Sequence, residues 1–569
     1  MILDAQERVA EYTAAGIWGD KTLSDLVIDT AALTPEAEAL VDPPNRAELM
    51  PGDPRRLTYR ELVTQVDHLA AALLAAGLRK DDVLMVQLPN TVEIVEVLLA
   101  CARLGVICSP VPVQFRTHEL RYVMPLLEPK AFVTCVEFDG HRHLDMIRGL
   151  QPEFPSLTAV IAAGDRLPDG VTALDPLLLE PRDLAALRAE LEVHPVDAND
   201  IFTVCWTSGT EADPKGVPRS HNHWIIPALA PIDGARLPRG CTVLCPFPMV
   251  NLSGIGAMMT VWILTGGKMV LHHPFNLPVY LQQIAVEKVG FPVAPPVLLT
   301  LLLRNEELLA EADLSSVICI GSGSAPLSPA MVAGWQERGI VVMNFYAANE
   351  GQVLASGSDD CPDAEDRARY FPRFGAEGFS FANRCTRGMQ SRLADPVTGE
   401  TIAEPGVLGE LRVKGPTMFP GYWRRPDLTT KSFDEEGFFR TGDLFEIGVA
   451  NGEASRYRFV GRLKDLIVRG GFKIAPEEIE SLLAGMPAIQ EAAVVGLPNP
   501  RTGDEDVCVV VVPKAGLVVT LSDIKAFLKE KDVAAYKIPR KLVVFDALPR
   551  NALGKVMKRT IRHRVGVKK

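Results

Sequence analysis

Short runs of consecutive apolar residues alternate with longer amphipathic stretches through most of the chain. The stretch LTYRELVTQVDHLAAALLAAGL has apolar residues three and four positions apart, which predicts a helix, with Thr58 as its N-cap. A short apolar run, DVLMVQLPN, follows and ends in a turn; TVEIVEVLLACARLGV then predicts a helix, and KAFVTCV and LTAVIAAG predict strands. This alternation indicates an α/β fold with a largely parallel sheet.

The pattern changes from about Gly406. The segments GVLGELRVKG, FFRTGDLFEIG and RYRFVGR predict short antiparallel strands with glycine turns. Beyond Lys464 the chain predicts strand, helix, strand, strand, helix and strand in DLIVRGG, APEEIESLLAGM, IQEAAVVGLP, DVCVVVVP, LSDIKAFLKEK and KLVVFDALP. We therefore expect a large N-terminal α/β domain (1–461) with parallel sheets and a small antiparallel β subdomain, a hinge (462–465), and a small α+β C-terminal domain (466–569).

Length and charge narrow the class of protein. A chain of 569 residues is too long for one hydrophobic core, and 47% hydrophobic with 23% charged residues is typical of a folded globular protein. A net charge of −12 argues against a general nucleic-acid binder. Residues 555–569 oppose that balance with seven Lys or Arg and no acid, which predicts a solvated basic tail or, alternatively, a patch that attracts an anionic substrate.

Residues 240–267 carry no charge and are long enough to span a membrane. Prolines and glycines interrupt the run, so we expect buried core plus a pocket-forming loop and no membrane span. The N-terminal MILDAQERVAEY lacks the apolar region of a secretory signal. The ten cysteines are scattered without a Cys-x-x-Cys pair, which predicts buried thiols in a reducing cytoplasm.

The segment CWTSGTEADPKGVPR concentrates groups that bind phosphate. Hydroxyls and backbone N–H groups from Thr207 to Thr210, followed by Lys215, predict a phosphate-binding loop. It is not the Walker pattern, because Gly216 follows the lysine where that pattern has Ser or Thr. Glu211 and Asp213 would hinder anion binding, so we expect both to point outward.

Four further segments carry groups suited to a nucleotide. GSGSAP turns tightly at the end of a predicted strand, where α/β sheets usually bind ligands. FYAANEG offers an aromatic ring to stack on a base and a carboxylate for a hard divalent ion. RTGDL offers a carboxylate for ribose hydroxyls, whereas GRLKDLIVRGGFKI and PRNALGKVMKR place basic residues at the hinge and in a loop of the small domain. The residues concerned are Tyr346, Glu350, Asp443, Arg462 and Lys555.

In this order, the motifs resemble those of the adenylate-forming superfamily, which contains acyl-CoA synthetases, aryl-acid ligases, peptide-synthetase adenylation domains and luciferases. The resemblance runs from LTYREL to GKVMKR. It implies a mobile C-terminal lid and an active site between the two domains. It also implies the reaction: a carboxylate attacks the α-phosphorus of ATP, pyrophosphate leaves, and a thiol then attacks the acyl-AMP.

The resemblance implies a role for each matching residue. Thr207, Ser208, Gly209, Thr210 and Lys215 would contact the triphosphate. Ser324, Ala325, Pro326 and Tyr346 would frame the adenine, and Asp443 and Arg462 would bind ribose. Glu350 with Thr207 would hold Mg²⁺, and Lys555 would reach the substrate carboxylate and the α-phosphate. Lys464 would be the hinge, and Gly471 would allow close passage of a pantetheine arm.

Two segments depart from the family pattern. The usual Tyr-Gly-x-Thr-Glu is replaced by YAANE, in which Asn349 can still contact phosphate and Ala347 adds a methyl group that would narrow the acyl pocket. In PFPMVNLSGIG, which also holds Gly254, Asn251 stands where amino-acid-activating domains tend to carry an aspartate. An amide cannot neutralise an ammonium group, which argues against an α-amino acid substrate. The apolar neighbours Val250, Leu252, Ile255 and Met258 favour a mainly apolar acid. The alternative is that Asn251 only ties down its loop.

We therefore expect an ATP-dependent acid–CoA ligase for an aromatic, carbocyclic or medium-chain acid, with ATP and Mg²⁺ as cofactors and CoA as co-substrate. The alternative is a stand-alone aryl-acid–AMP ligase that loads the pantetheine of a carrier protein. A third reading is a degenerate nucleotide-binding protein without catalysis. The sequence leaves monomer and homodimer open.

Overall fold

The computed structural model describes residues 1–207, 214–450, 452–469, 472–499, 504–550 and 555–566. These residues divide into two compact units. The first comprises Met1–Thr207, Pro214–Gln390 and Val413–Gly437, and the second comprises Ser391–Arg412 and the described residues from Phe438 onward. The expected domain ends and the expected hinge at 462–465 stay predictions.

The first unit alternates helices and strands. Its helices α1 to α16 are Gln6–Ala14, Leu23–Leu33, Tyr59–Ala75, Val92–Leu104, Thr117–Leu127, His143–Leu150, Leu174–Leu179, Ala185–Val193, His221–Gly234, Val261–Thr265, Leu277–Glu287, Pro296–Arg304, Glu306–Glu311, Pro329–Gln336, Ala364–Arg369 and Pro426–Ser432. Its strands β1 to β16 are Glu38–Val41, Arg56–Thr58, Val83–Gln87, Ile107–Pro110, Ala131–Cys135, Ala159–Ala163, Thr172–Ala173, Ile201–Trp206, Gly216–Ser220, Val243–Cys245, Met269–Leu271, Phe291–Pro292, Cys319–Gly323, Val341–Ala347, Val353–Ser356 and Tyr370–Pro372.

The remaining elements belong mainly to the second unit. Its helices α17 to α19 are Pro476–Leu483, Leu521–Glu530 and Lys558–Gly566. The strands β17 to β26 are Gln390–Ala394, Thr401–Ile402, Leu408–Lys414, Phe439–Ala450, Glu453–Arg462, Ile467–Arg469, Phe472–Ile474, Ile489–Pro498, Glu505–Pro513 and Lys541–Val544. The six elements predicted beyond Lys464 occur in the predicted order, and β23 and α19 occur in addition.

Parallel pairing dominates the large sheets of the first unit, which confirms the predicted α/β class. One sheet has the strand order β7-β6-β5-β3-β4-β8-β9, in which only the pairing of β8 with β9 is antiparallel. A second has the order β12-β10-β11-β1-β2, and a third the order β13-β14-β15. In the second unit, β20 and β21 form the predicted antiparallel pair and β24-β25-β26 a separate sheet.

The predicted helix start at Thr58 is confirmed by its capping contacts. The Thr58 hydroxyl accepts a hydrogen bond from the Glu61 backbone N–H at 3.2 Å, and the Glu61 carboxylate accepts one from the Thr58 N–H at 2.8 Å. This reciprocal capping box satisfies two N–H groups that the start of α3 would otherwise leave unpaired.

A buried ionic network joins the start of α4 to the chain around β1 and β2. The Arg46 guanidinium contacts Asp42 at 2.6 Å and Glu93 at 2.6 Å. Arg55 contacts Glu93 at 2.9 Å and Glu96 at 3.1 Å. Three carboxyl groups thus share two guanidinium groups. Burial and the negative charge of Glu93 raise the pKa of Glu96 to about 7, although the positive charge of Arg55 lowers it. For Glu93, the positive charges of Arg46 and Arg55 outweigh the effect of burial and lower the pKa.

The network makes a pH-dependent prediction for Glu96→Gln. A carboxyl group whose pKa is raised by folding costs nothing below its unfolded pKa of about 4.5. It destabilises the fold increasingly as the pH rises from there to about 7, and the cost is constant at higher pH. We expect the thermal midpoint of Glu96→Gln to exceed that of the unaltered protein at about pH 8 and to approach it near about pH 5. Glu93→Gln removes the charge of the carboxylate that contacts both Arg46 and Arg55. We expect it to lower the thermal midpoint at both pH values. A Glu96→Gln effect independent of pH would contradict the prediction.

The uncharged segment 240–267 is more regular than the sequence predicts. It contains β10, a π-helix over Leu252–Thr260, and α10, whose C-cap residue Gly266 adopts the left-handed conformation (φ 65°). The predicted buried core is present, but the predicted pocket-forming loop is largely helical, because the side chains of Asn251 and, from outside the segment, Asn349 accept hydrogen bonds from its first backbone N–H groups. No helix among the described residues is long and apolar enough to cross a membrane.

Residues 558–566 match the predicted solvated basic tail only in part, at exposed positions such as Arg559 and Arg564. They form α19, in which Ile561 and Val565 are buried. Lys558 contacts Glu477 at 2.8 Å and Glu480 at 3.0 Å, and these carboxylates raise its pKa in spite of burial. Part of the positive charge is therefore neutralised within the unit. The prediction of buried thiols is confirmed, since all ten cysteine side chains are buried.

Candidate active site

Glu350, Tyr422 and Lys215 form one connected group in the first unit. The Tyr422 hydroxyl donates a hydrogen bond to Glu350 Oε1 at 2.9 Å, and Lys215 Nζ lies 4.7 Å from the centroid of the Tyr422 ring. Burial, then the negative charge of Glu350, raise the pKa of Tyr422. The phenol therefore stays protonated and holds the carboxylate in one orientation, while its ring face attracts the ammonium group.

The ends of β8 and β9 place the lysine. Thr207 follows β8, and its N–H donates to the Lys215 carbonyl at 3.0 Å. The Lys215 N–H donates to the Thr207 hydroxyl at 3.3 Å. The structure thus brings Thr207 and Lys215 together at the mouth of the predicted phosphate loop. Five positions of that loop named above lie outside the described residues: Ser208, Gly209, Thr210, Glu211 and Asp213. Gly471 also lies outside them.

Residues 417–423, which the sequence did not single out, contact the backbone both at Gly216, next to Lys215, and at Glu350. The Trp423 N–H donates to the Gly216 carbonyl at 2.8 Å, and the Phe419 N–H donates to the Glu350 carbonyl at 2.9 Å. Gly351 (φ 116°) lies so close that an added Cβ would be 2.0 Å from the Thr417 carbonyl oxygen. The signal in the sequence was FPGYW, an aromatic pair directly after a Pro-Gly turn.

Arg219 is a second functional candidate that the sequence did not single out. Its side chain is fully buried, and its N–H groups donate to the carbonyl oxygens of Asn349 at 2.7 Å, Thr417 at 3.3 Å, and His223. The guanidinium carbon lies 4.7 Å from the centroid of the Trp224 ring. Burial lowers the pKa of Arg219 to about 9, which leaves the group charged at neutral pH.

The residues predicted to frame an adenine lie at the ends of two adjacent parallel strands. β13 and β14 pair with Gly323 opposite Phe345, so Ser324 and Tyr346 come next in the same register. Ser324 adopts a left-handed backbone conformation (φ 67°), and the turn Ser324, Ala325 and Pro326 is exposed. The carboxyl ends of parallel strands are where α/β sheets bind ligands.

Two of the predicted acid-pocket residues, Asn251 and Gly254, lie at the start of the π-helix. Asn251 Oδ1 accepts hydrogen bonds from the N–H groups of Ser253 at 2.9 Å and Gly254 at 3.3 Å. This is the loop-holding contact that the sequence left open for Asn251. An added Cβ at Gly254 would lie 2.3 Å from the Pro248 carbonyl oxygen, so the backbone leaves no room for a side chain there. Ala347, at the end of β14, is exposed.

Asn349 joins this segment to the group around Glu350. Its Oδ1 accepts a hydrogen bond from the Leu252 N–H at 2.8 Å. The sequence predicted a phosphate contact for Asn349, which stays a prediction. The contact with Leu252 was not predicted.

The second unit contains the remaining predicted residues. Asp443 and Arg462 are opposite each other on β20 and β21, and Arg462 Nε lies 3.7 Å from Asp443 Oδ1. The Asp443 N–H donates to the Thr441 hydroxyl at 3.1 Å. Lys464 lies in a single 3₁₀ turn, Leu463–Asp465, and Lys555 is exposed.

The oxygens of Glu350 and Thr207 fit Mg²⁺. A carboxylate and a hydroxyl are the hard ligands that this ion prefers, and the hydrogen bond from Tyr422 orients the carboxylate as a neighbouring group commonly does for a metal ligand. No cluster of three or more His, Cys, Asp or Glu side chains in the described part of the chain has the arrangement of a metal site. An ion held here would therefore complete its shell with water and phosphate oxygens, as Mg²⁺ usually does.

Comparison with known proteins finds two family models. The one described as AMP-binding enzyme matches residues 28–423, and the one described as AMP-binding enzyme C-terminal domain matches residues 478–555.

Individual proteins are similar over almost the whole chain. The medium-chain fatty-acid–CoA ligase of Escherichia coli (strain K12) is 30% identical over 98% of this chain and 93% of its own length. The 2,3-dihydroxybenzoate-AMP ligase of Bacillus subtilis (strain 168) is 27% identical, covering 99% and 97%. Among solved structures, ATP-bound MatB from Rhodopseudomonas palustris has a TM-score of 0.79 at 27% identity, over 96% of this chain and 99% of that one.

Proposed function

Because the chain belongs to the AMP-binding enzyme family, we propose that it is an ATP-dependent acid–CoA ligase. It would convert a carboxylic acid and ATP into an acyl-AMP and pyrophosphate, and then transfer the acyl group to the thiol of CoA with release of AMP. The observation that carries the proposal is the contact of Lys215 and Glu350 with the same side chain, Tyr422, in a chain that also matches both family models.

The first half-reaction is an electrostatic problem. A carboxylate and a triphosphate repel each other at contact, so the step requires positive groups where negative charge gathers. Lys215 would neutralise the β- and γ-phosphate oxygens, and Lys555 would approach the junction of the carboxylate and the α-phosphorus. No general base is needed, because the attacking acid is already ionised at neutral pH.

The other residues would bind and orient. Glu350 and Thr207 would hold Mg²⁺, which supplies charge neutralisation of the phosphates when bound. We assign the triphosphate to Ser208, Gly209 and Thr210; the adenine to Ser324, Ala325, Pro326 and Tyr346; and ribose to Asp443 and Arg462. Lys464 in the hinge 462–465 and Gly471 in the thiol channel belong to the second half-reaction.

The acid is proposed to be aromatic, carbocyclic or medium-chain. The segment around Asn251, Gly254 and Ala347 supports an apolar acid, because Asn251 brings no charge to pair with an ammonium group. The names of similar proteins cover both a fatty acid and a dihydroxybenzoate. Because one of these similar proteins is named as an AMP ligase, the pantetheine of a carrier protein stays a competing candidate for the acceptor of the acyl group. A cytoplasmic location belongs to the same proposal.

A panel of acids tests the function. Full-length protein with ATP and Mg²⁺ is incubated with benzoates, cyclohexane carboxylates and saturated fatty acids from hexanoate to dodecanoate, with and without CoA. We expect acid-dependent pyrophosphate exchange, and AMP release that rises when CoA is added. Acyl-AMP that never passes to CoA would support the carrier-protein alternative. Exchange at background across the panel would reject catalysis.

A further inference from the structure

The geometry points to Asn349 as a positioning residue that couples the acid pocket to Glu350. This inference rests on the proposed function, since it assigns the π-helix over Leu252–Thr260 to the pocket and Glu350 to the nucleotide. It differs from the phosphate contact expected for Asn349, because the amide oxygen accepts a hydrogen bond within the protein.

Two asparagine side chains cap the start of the π-helix by accepting hydrogen bonds from its first backbone N–H groups. The first backbone N–H groups of a helix have no partner inside the helix and must be satisfied from elsewhere. Here Asn251 accepts from Ser253 and Gly254, and Asn349 accepts from Leu252. Asn251 is the residue next to the helix, whereas Asn349 comes from the loop after β14. The helix start is therefore tied to a distant part of the chain.

The other contacts of this loop lead to the proposed nucleotide site. The Asn349 carbonyl accepts a hydrogen bond from the buried Arg219 at 2.7 Å. Glu350 is the next residue, and both its carbonyl and its carboxylate accept hydrogen bonds, from Phe419 at 2.9 Å and Tyr422 at 2.9 Å. A shift of Asn349 would thus move the carboxylate proposed for Mg²⁺, and a shift of the helix start would move Asn349.

The helix start has little freedom to move in any other way. An added Cβ at Gly254 would lie 2.3 Å from the Pro248 carbonyl oxygen, so this turn already packs backbone against backbone. Within the helix, the Thr260 hydroxyl donates to the Ile255 carbonyl at 2.9 Å. The hydrogen bond from Leu252 to Asn349 therefore sets the position from which the side chains of the π-helix face the acid.

Two substitutions at Asn349 separate the two roles. Asn349→Ala removes the acceptor, whereas Asn349→Asp keeps an oxygen in the same place and adds a negative charge beside Glu350. We expect Asn349→Ala to raise the KM for the acid about five- to tenfold, the equivalent of one hydrogen bond, with the KM for ATP within about twofold. Asn349→Asp is expected to keep the acid KM near that of the unaltered protein and to raise the ATP KM, because like charges repel.

The opposite pattern would overturn the inference. If Asn349→Ala raises the KM for ATP and leaves that for the acid unchanged, the side chain contacts the nucleotide and not the pocket. Asn276→Ala is the matched control, since Asn276 also caps a helix, with its Oδ1 accepting from the Val279 N–H at 3.2 Å. Asn276→Ala should lower the free energy of unfolding about as much as Asn349→Ala does, on the order of 1 kcal/mol, as is usual for the loss of such a cap. It should leave the KM for the acid unchanged.

A second measurement does not depend on activity. Hydrogen–deuterium exchange of a peptide that contains Leu252 should become faster in Asn349→Ala and stay slow in Asn349→Asp. If no acid supports pyrophosphate exchange, the proposed function fails, while faster exchange at Leu252 still supports the structural link. If catalysis is present but Leu252 exchanges equally in both variants, the inference fails and the proposed function stands.

Discussion

Lys555→Ala is expected to slow acyl-AMP formation by roughly a hundredfold or more, the effect of losing one preorganised stabilising group from a transition state. The acid and the α-phosphate are both negative, so the developing charge between them requires a cation at that point. Lys555 is exposed in the second unit. Stopped-flow measurement of acid-dependent pyrophosphate release checks the rate.

Two controls make the result specific. Lys529→Ala removes another exposed lysine of the same unit, at the end of α18, and should leave the rate within about twofold of the unaltered protein. Lys555→Ala should also transfer the acyl group from preformed acyl-AMP to CoA nearly as fast as the unaltered protein, because that step attacks a neutral carbonyl. Undiminished pyrophosphate release in Lys555→Ala would contradict the mechanism.

Arg46→Met is expected to lower the free energy of unfolding of the first unit by about 3–5 kcal/mol, the cost of leaving buried charges without a partner. The arginine side chain is only 5% exposed and contacts Asp42 and Glu93, which are equally buried. Removing it leaves three carboxyl groups around one guanidinium group. Urea unfolding followed by tryptophan fluorescence reports this unit, because all six tryptophans belong to it.

The surface offers a matched control for Arg46. Arg56 also contacts two carboxylates, Glu38 and Glu287, but its side chain is 46% exposed. Water and salt screen such pairs, so Arg56→Met should cost about 1 kcal/mol or less. Adding Glu93→Gln to Arg46→Met should recover part of the lost stability, because it removes one of the uncompensated charges. Equal losses from Arg46→Met and Arg56→Met would show that burial does not control the effect.

The limits of sequence reasoning are clearest in the tail and in residues 240–267. Residues 555–569 carry basic residues with few apolar ones, which indicated a solvated segment. The apolar residues Ile561 and Val565 are four positions apart and are buried, and Lys558 is paired with acids of α17. In 240–267, prolines and glycines indicated a loop, but Asn349 satisfies the start of a helix from 97 positions away.

The amino-acid sequence by itself determined the α/β alternation, the capping box at Thr58, the buried thiols and the family, because each depends on residue types at short spacing or on motifs in a fixed order. Only the tertiary structure decided which distant groups meet. Tyr422 holds Glu350 from 72 positions away, and Arg219 holds the Asn349 carbonyl from 130. Such contacts depend on how strands pair and where their ends lie, and a local pattern carries no information about either.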